Sequence, residues 1–308
     1  MKAKEQRVAS NLGLVCITNS DEVRYKRTTR KRLLSLPETE QADLLRTLYA
    51  ANCGVLENAV GFCLANNIRL YRVSSDVFQF TDEPFGRAII GEFADRLKAI
   101  GTRTIESGIR IVFHPDQFVV LSSDSDAVVA NSVKILEMHA NTLDLLGQPR
   151  SEWATMMIHG GKGKRPDRLV DAIMSLPDAV RSRIAFENDE YAYSSAEILD
   201  VCRRAGVPMV FDAHHHVCRE KLDSFDDPSV DAAFWAARET WQDPANQLVH
   251  ISNGRTHFND RAHSDLIATM PSVYRHAPWI EVEAKHKEIA IGKLTAEWLD
   301  ASQGSSAA

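Results

Sequence analysis

The chain has 308 residues, 44% hydrophobic and 25% charged, with a formal net charge of −6. That length suits one large α/β barrel or two ordinary domains, and the composition excludes low-complexity and fibrous classes. No apolar run is expected to reach the ~18–20 residues of a membrane span.

The first ten residues, MKAKEQRVAS, form a polar extension without the apolar stretch of a secretory signal. Apolar runs then recur along residues 11–300. They are NLGLVCI (11–17), IRLYRVS (68–74), RIVFH (110–114), ATMMIH (154–159), RIAFE (183–187), VPMVFD (207–212), NQLVHIS (246–252) and PWIEVE (278–283). Each is short and nearly continuous in hydrophobicity, as parallel strands covered on both faces are. Between them, residues 38–67, 92–107, 126–147 and 195–206 carry apolar residues at helical spacing, with Gly147 and Gly206 placed as C-caps. No linker divides the chain, and no GxGxxG follows the first strand. Eight strands alternating with helices predict an α/β fold, a single (β/α)₈ TIM barrel, ahead of an open doubly wound sheet. The last residues, 301–308, read as a disordered tail. The five cysteines are scattered and form no CxxC pair. That pattern predicts free thiols in a reducing cytoplasm.

The strand ends carry the chemistry. RIVFH ends in His114, ATMMIH in His159, RIAFE in Glu187 and VPMVFD in Asp212; His250 lies within QLVHIS and Glu283 closes WIEVE. A single strand-end His or Glu is usually a cap or a salt-bridge partner. Six in one phase of one repeat converge on the C-terminal face of a barrel, where active sites are built. Imidazoles and carboxylates at that density need cations to compensate them. Without thiolate, the set suits Zn²⁺, Mn²⁺ or Fe²⁺. With His215, from the His-rich DAHHH, and His263 there are eight candidates, enough for two or three ions. Such ions activate water and stabilise oxygens at phosphorus.

Net charge argues against nucleic acid only where basic residues are dispersed, and here they are clustered. RYKRTTRKR (24–32) places six cations around Tyr25, among them Lys26, Arg27 and Arg30, while KGKRPDR (162–168) adds Lys162, Lys164, Arg165 and Arg168. Both follow strands, so both face the metal side of a barrel and suit a polyanion held there.

YRVSSD (71–76), FHPDQF (113–118), IHGGKG (158–163), FENDE (186–190), FDAHHH (211–216), VHIS (249–252), RAHSD (261–265) and VEAKHKE (282–288) occur in this order. Together they resemble the UV-damage endonucleases, metal-dependent barrel nucleases related to endonuclease IV. The likeness runs over roughly residues 11–290. It implies a monomeric enzyme that incises damaged double-stranded DNA on the 5′ side of the lesion with divalent ions, most often manganese. It places His114, His159, Glu187, Asp212, His215, His250, His263 and Glu283 on metal-binding positions. It makes Glu187 a bridging carboxylate, within a catalytic set of Glu187, Asp212, Glu283 and Lys285. It puts His214 and His216 beside the metal ligands, with His216 as a DNA contact, and Gln117 and Phe118 at the lesion. Four positions depart from the family pattern. Asp76 stands where relatives use His and is a ninth candidate ligand; Leu248 replaces a Lys, and Leu14 and Phe118 replace Tyr. Two other functions fit the residues less well. A sugar isomerase or epimerase shares the barrel but needs fewer ligands and no basic rim. A metal-dependent DNA-binding or metal-storage protein would bind without turnover.

Overall fold

The apolar runs become eight short strands in a computed structural model that describes residues 10–116 and 118–299. They are β1 (Asn11–Val15), β2 (Leu70–Val73), β3 (Arg110–Phe113), β4 (Met156–His159), β5 (Ile184–Glu187), β6 (Met209–Asp212), β7 (Leu248–Ile251) and β8 (Trp279–Val282). All neighbours pair in parallel, and β8 closes on β1 with Asn11 opposite Trp279 and Gly13 opposite Glu281. Every strand is shorter than its apolar run, because the flanking residues leave the ladder for the connections. Residues 1–9, 117 and 300–308, which include most of the expected extension, the expected tail and Gln117, lie outside the described residues.

The two-residue period of a strand sorts each run into two sets. Phe113, Ile158, Phe186, Phe211, Val249 and Ile280 point outward and join the core shared with the helices. Leu70, Val112, Met157, Ala185, Val210 and Leu248 point inward and fill the barrel with Trp241 and Trp279. A Cβ on Gly13 would sit 2.6 Å from Leu70 Cδ2, so β1 leaves that space to its neighbour's side chain. Each inward apolar residue is therefore a floor, and the residue two positions later on the same strand face stands above it.

Below that floor, the N-terminal end of the barrel is closed by Arg110, which is wholly buried. Its guanidinium lies 5.5, 5.7 and 5.4 Å from the ring centres of Trp153, Trp241 and Trp279. It donates to the carbonyls of Glu152, Trp153 and Asn246, each at 2.8 Å, and to Thr155 Oγ1 at 2.9 Å. Burial pulls its pKa down to about 9, but the hydrogen bonds and three indole faces keep the cation solvated from within.

The helices coat the barrel. Glu38–Ala65 buries Leu45, Tyr49, Asn52, Cys53, Leu56, Val60 and Cys63 at three- and four-residue intervals. By length and composition this helix is also apolar enough to cross a membrane, contrary to the expectation that no stretch approaches that size. Here its buried residues belong to the shared core. Ser195–Ala205 opens with a reciprocal capping box of Ser194 and Glu197 and ends at Gly206 in the left-handed region (φ 66°), where glycine carries no Cβ penalty. Gly147 takes the same conformation (φ 65°), as expected.

Arg110 occupies the end of the barrel remote from the strand ends that carry the candidate ligands. Arg110→Met should strand three carbonyls and lower stability by about 3 kcal/mol or more. Urea unfolding measures this loss, and metal binding per folded molecule should stay at the wild-type level.

Candidate metal centre and cleft

Two residues above the apolar floor, the same inward phase delivers the polar residues. His114 follows Val112, His159 follows Met157, Glu187 follows Ala185, Asp212 follows Val210 and His250 follows Leu248. Glu283 stands just past the end of β8. They form three overlapping sets, each with ligand atoms within 4.8 Å of one another: His114, His159 and Glu187; Glu187, Asp212 and His215; Asp212, His250 and Glu283. Glu187 belongs to the first two and Asp212 to the last two.

Asp212 and His215 meet for a local reason. Asp212 is the N-cap of the Ala213–Glu220 helix, and its Oδ1 accepts from the His215 backbone N–H at 2.8 Å. The cap sets the first turn, and that turn carries the His215 imidazole over the cluster. The Asp-x-x-His spacing is thus a capped helix start. Asn188 clamps the same corner, donating to the Asp212 carbonyl and accepting from its N–H, each at 2.9 Å. His263 arrives on a loop closed by a bridge between Gly254 and His263. Its Nδ1–H donates to the Glu283 carbonyl at 3.0 Å, which leaves the lone pair on Nε2.

The electrostatics centre on Glu187, which is completely buried. Its Oε2 lies 3.1 Å from His114 Nε2 and 3.7 Å from His159 Nε2. Its Oε1 lies 2.9 Å from His250 Nδ1 and 3.6 Å from His215 Nε2. Burial alone would raise its pKa, but the surrounding imidazoles hold it well below the usual carboxylate range. Burial should likewise depress His215, yet Asp212, Glu190 and Glu187 raise it to about 10. His250 is held well above the usual imidazole range against burial by Glu187 and Glu281. The carboxylates of the cluster therefore favour positive charge on the groups around them. Asp212 Oδ2 is buried without a hydrogen-bond partner. An unpartnered carboxylate oxygen among imidazoles fits a divalent cation, and the absence of thiolate fits Mn²⁺, Fe²⁺ or catalytic Zn²⁺.

A cleft of about 610 Å³ opens beside the cluster, with His114, His159, Lys162, Glu190, Tyr191 and His215 in its wall. Glu190 accepts from His215 Nδ1 at 2.7 Å and from Arg261 Nε at 3.0 Å. Burial raises the Glu190 pKa, but His215 and Arg261 more than offset it and bring it to about 2. Arg261 also lies 3.5 Å from the ring centre of Tyr191, which is 63% exposed at the rim. Phe118 is 70% exposed on the loop after β3.

Several expected site residues lie elsewhere. Asp76 is outside the three sets; it accepts from Arg27 at 3.3 Å and from Gln79 at 3.0 Å. Tyr25 is buried, its hydroxyl 2.8 Å from that of Tyr71, so it presents no ring to a ligand. His216 is buried between Ser195 Oγ at 2.9 Å and Ser229 Oγ at 3.0 Å, so both ring nitrogens are engaged inside the protein. His214 is buried too, with Nδ1 2.6 Å from Ser252 Oγ. Lys285 is exposed, and the lysine beside the cluster is instead Lys287, whose pKa burial depresses near Cys16, Arg72 and Glu283. Leu14 is wholly buried in the outward core and Leu248 in the barrel interior.

The basic loops lie at the surface but are latched. Lys26 is exposed, while Arg30 pairs with Glu83 at 3.0 Å and Asp82 at 3.7 Å. Lys162 and Arg165 both clasp Asp124, Arg165 at 3.0 Å, and Lys164 is exposed beside them. The sequence reading missed Arg72, Asn188, Glu190 and Glu281. Glu281 was accessible to it, since WIEVE puts Glu281 on the same strand face as Glu283.

Residues 10–304 match the family model described as UV-endonuclease UvdE. A UV DNA damage endonuclease of Nostoc sp. is 55% identical over 290 residues, covering 94% of this chain and 90% of the relative. One from Deinococcus radiodurans is 46% identical over 286 residues, covering 92% and 94%. The crystal structure of SacUVDE superposes with a TM-score of 0.78 at 25% identity, covering 93% of this chain and 98% of that one. The family match and the curated relatives agree: the chain belongs to the UV-endonuclease UvdE family of DNA-repair endonucleases.

Proposed function

We propose that this endonuclease is metal-dependent and hydrolyses the phosphodiester bond on the 5′ side of UV-damaged or distorted bases in double-stranded DNA, acting as a monomer in the cytoplasm. Two or three divalent ions, manganese foremost, are held by His114, His159, Glu187, Asp212, His215, His250, His263 and Glu283. The observation that carries this reading is the division of Glu187, with Oε2 facing His114 and His159 and Oε1 facing His215 and His250. A carboxylate divided in this way suits a bridge between two cations. When bound, such ions supply an activated water and a positive clamp on the scissile phosphate.

The protein's own groups do the rest. Asn188 and the helix cap fix Asp212, so its unpartnered oxygen is aimed before any ligand arrives. Glu190 orients His215 through Nδ1, which leaves Nε2 toward Glu187 and Asp212. Lys162, Lys164 and Arg165 receive backbone phosphates at the cleft mouth, with Lys26, Arg27 and Arg30 on the loop after β1. Phe118 offers an apolar face to a step that has lost stacking, where distortion costs least. The sugar isomerase reading shares the barrel but gives no use for this basic rim or for eight ligands.

Three measurements test this. Glu187→Gln keeps the shape and removes the bridging charge; incision of UV-irradiated duplex should fall by orders of magnitude while the fold survives. Near-normal activity in excess Mn²⁺ rules the bridge out. Phe118→Ala should cut UV-damaged duplex well below the wild-type rate with unchanged metal content by elemental analysis. Equal rates would move the probing role to other residues. For the basic rim, Asp124→Asn unlatches Lys162 and Arg165 and should tighten binding to undamaged duplex. Lys162→Ala with Arg165→Ala should weaken it and flatten the salt dependence by about one to two units of log–log slope. An unchanged slope in both variants means these side chains do not meet phosphate.

A further inference from the structure

The inward face of β8 carries a second glutamate beneath the cluster. Glu281 is wholly buried, two residues before Glu283. Its Oε2 lies 2.7 Å from His250 Nε2 and 3.0 Å from Arg72 Nη1. The same Arg72 nitrogen lies 2.6 Å from Glu283 Oε1, so its two hydrogens are divided between the two carboxylates. The other ring nitrogen of His250, Nδ1, faces Glu187 Oε1 at 2.9 Å and Glu283 Oε1 at 3.6 Å. The imidazole thus spans two levels of the barrel, one nitrogen down toward Glu281 and one up toward the candidate ligands.

Chemistry assigns the two ends. An ionised carboxylate only accepts, and Glu281 on one side and Glu187 on the other both face the ring, so both nitrogens carry hydrogen here. Glu281, below the cluster, keeps the Nε2 hydrogen, and Nδ1 is the nitrogen turned toward the candidate ligands that can exchange its hydrogen for a cation. Met157 Sδ also lies 3.2 Å from Nε2, but a thioether is too weak an acceptor to fix a tautomer. A lone buried carboxylate at this depth would be costly; Arg72, itself almost fully buried, compensates it. Arg72 also spaces Glu281 and Glu283, so the pair sets both the ring and the ligand above it.

We propose that Glu281 is a positioning residue of the metal centre, holding His250 as the Nε2–H tautomer with Nδ1 turned to the cluster, and that Arg72 pins Glu281 and Glu283 in register. The proposal rests on the metal reading given above. It separates His250 from His114 and His159, for which the described residues show no carboxylate behind the ring.

The test compares wild type, Glu281→Gln and Glu281→Leu in the full chain. Nitrogen-15 spectra of the Zn²⁺-loaded wild type should show His250 Nε2 protonated and Nδ1 metal-bound. Mn²⁺ affinity, by calorimetry, should fall about 10- to 100-fold in Glu281→Gln, the range typical for loss of a carboxylate behind a ligand imidazole. Glu281→Leu should lose at least as much. The ion count at saturating metal should not change, because Glu281 orients a ligand and is not one. Glu281→Gln preserves shape but neutralises one partner of a buried ion pair, so the metal-free variant should unfold at lower urea than wild type; affinity is therefore read per folded molecule, and Glu281→Asp should recover part of it. The proposal is overturned by a metal-bound Nε2, by wild-type affinity in Glu281→Gln, or by one fewer ion at saturation. A wild type that binds no divalent ion would instead sink the metal reading itself.

Discussion

The site depends on one buried carboxylate. Glu187 is fully enclosed, and it is stable there only because four imidazoles from four different elements turn toward its two oxygens. Isolated carboxylates buried at that depth neutralise by taking up a proton. This one stays ionised because the compensation is built from other strand ends. The closure of the barrel is therefore an electrostatic requirement as well as a packing one. Opening any one of β3, β4 or β7, or the helix after β6, would leave the charge under-compensated.

That arrangement needs a floor that does not yield. The apolar layer of Leu70, Val112, Met157, Ala185, Val210 and Leu248 supplies it. Beneath it, Arg110 among three indoles seals the opposite end. A site held to a few tenths of an ångström must rest on strands, since loops alone would let the ligands spread. Above Leu70 and Trp279, the same inward phase places the buried Arg72–Glu281 pair, with Glu281 Oε2 2.7 Å from His250 Nε2.

The fold was largely legible because its signal is periodic. Eight apolar runs with helical stretches between them admit few closed arrangements, and a two-residue phase carried His114, His159, Glu187, Asp212 and His250 to one face together. What failed was residue-level direction outside the strands. Tyr25 sits in a basic run yet turns inward to Tyr71, because an apolar ring beside the first strand gains more from the core than from solvent. His216 shares a tract with His215, but successive residues on a helix point about 100° apart, so one faces the cluster and the next faces Ser195 and Ser229. Lys285 lies exposed in the turn before the Lys287–Leu294 helix, whereas Lys287 opens that helix and is partly buried. Asp76 pairs with Arg27, and a spacing rule cannot register a competing partner of that kind. Glu281 shows the converse failure, a residue in the right phase that went unread because it lies within the strand.

The latched basic rim explains how an acidic chain can act on DNA. Four of its cations are paired: Arg27 with Asp76, Arg30 with Asp82 and Glu83, and Lys162 and Arg165 with Asp124, while Lys26 and Lys164 are exposed. Exposed pairs of this kind are worth only about 0–1 kcal/mol each, so a phosphate displaces the carboxylate at little cost. The released carboxylate then remains near the incoming backbone and repels it weakly. The rim therefore gains less from each phosphate than free lysines would, which keeps hold on intact duplex loose.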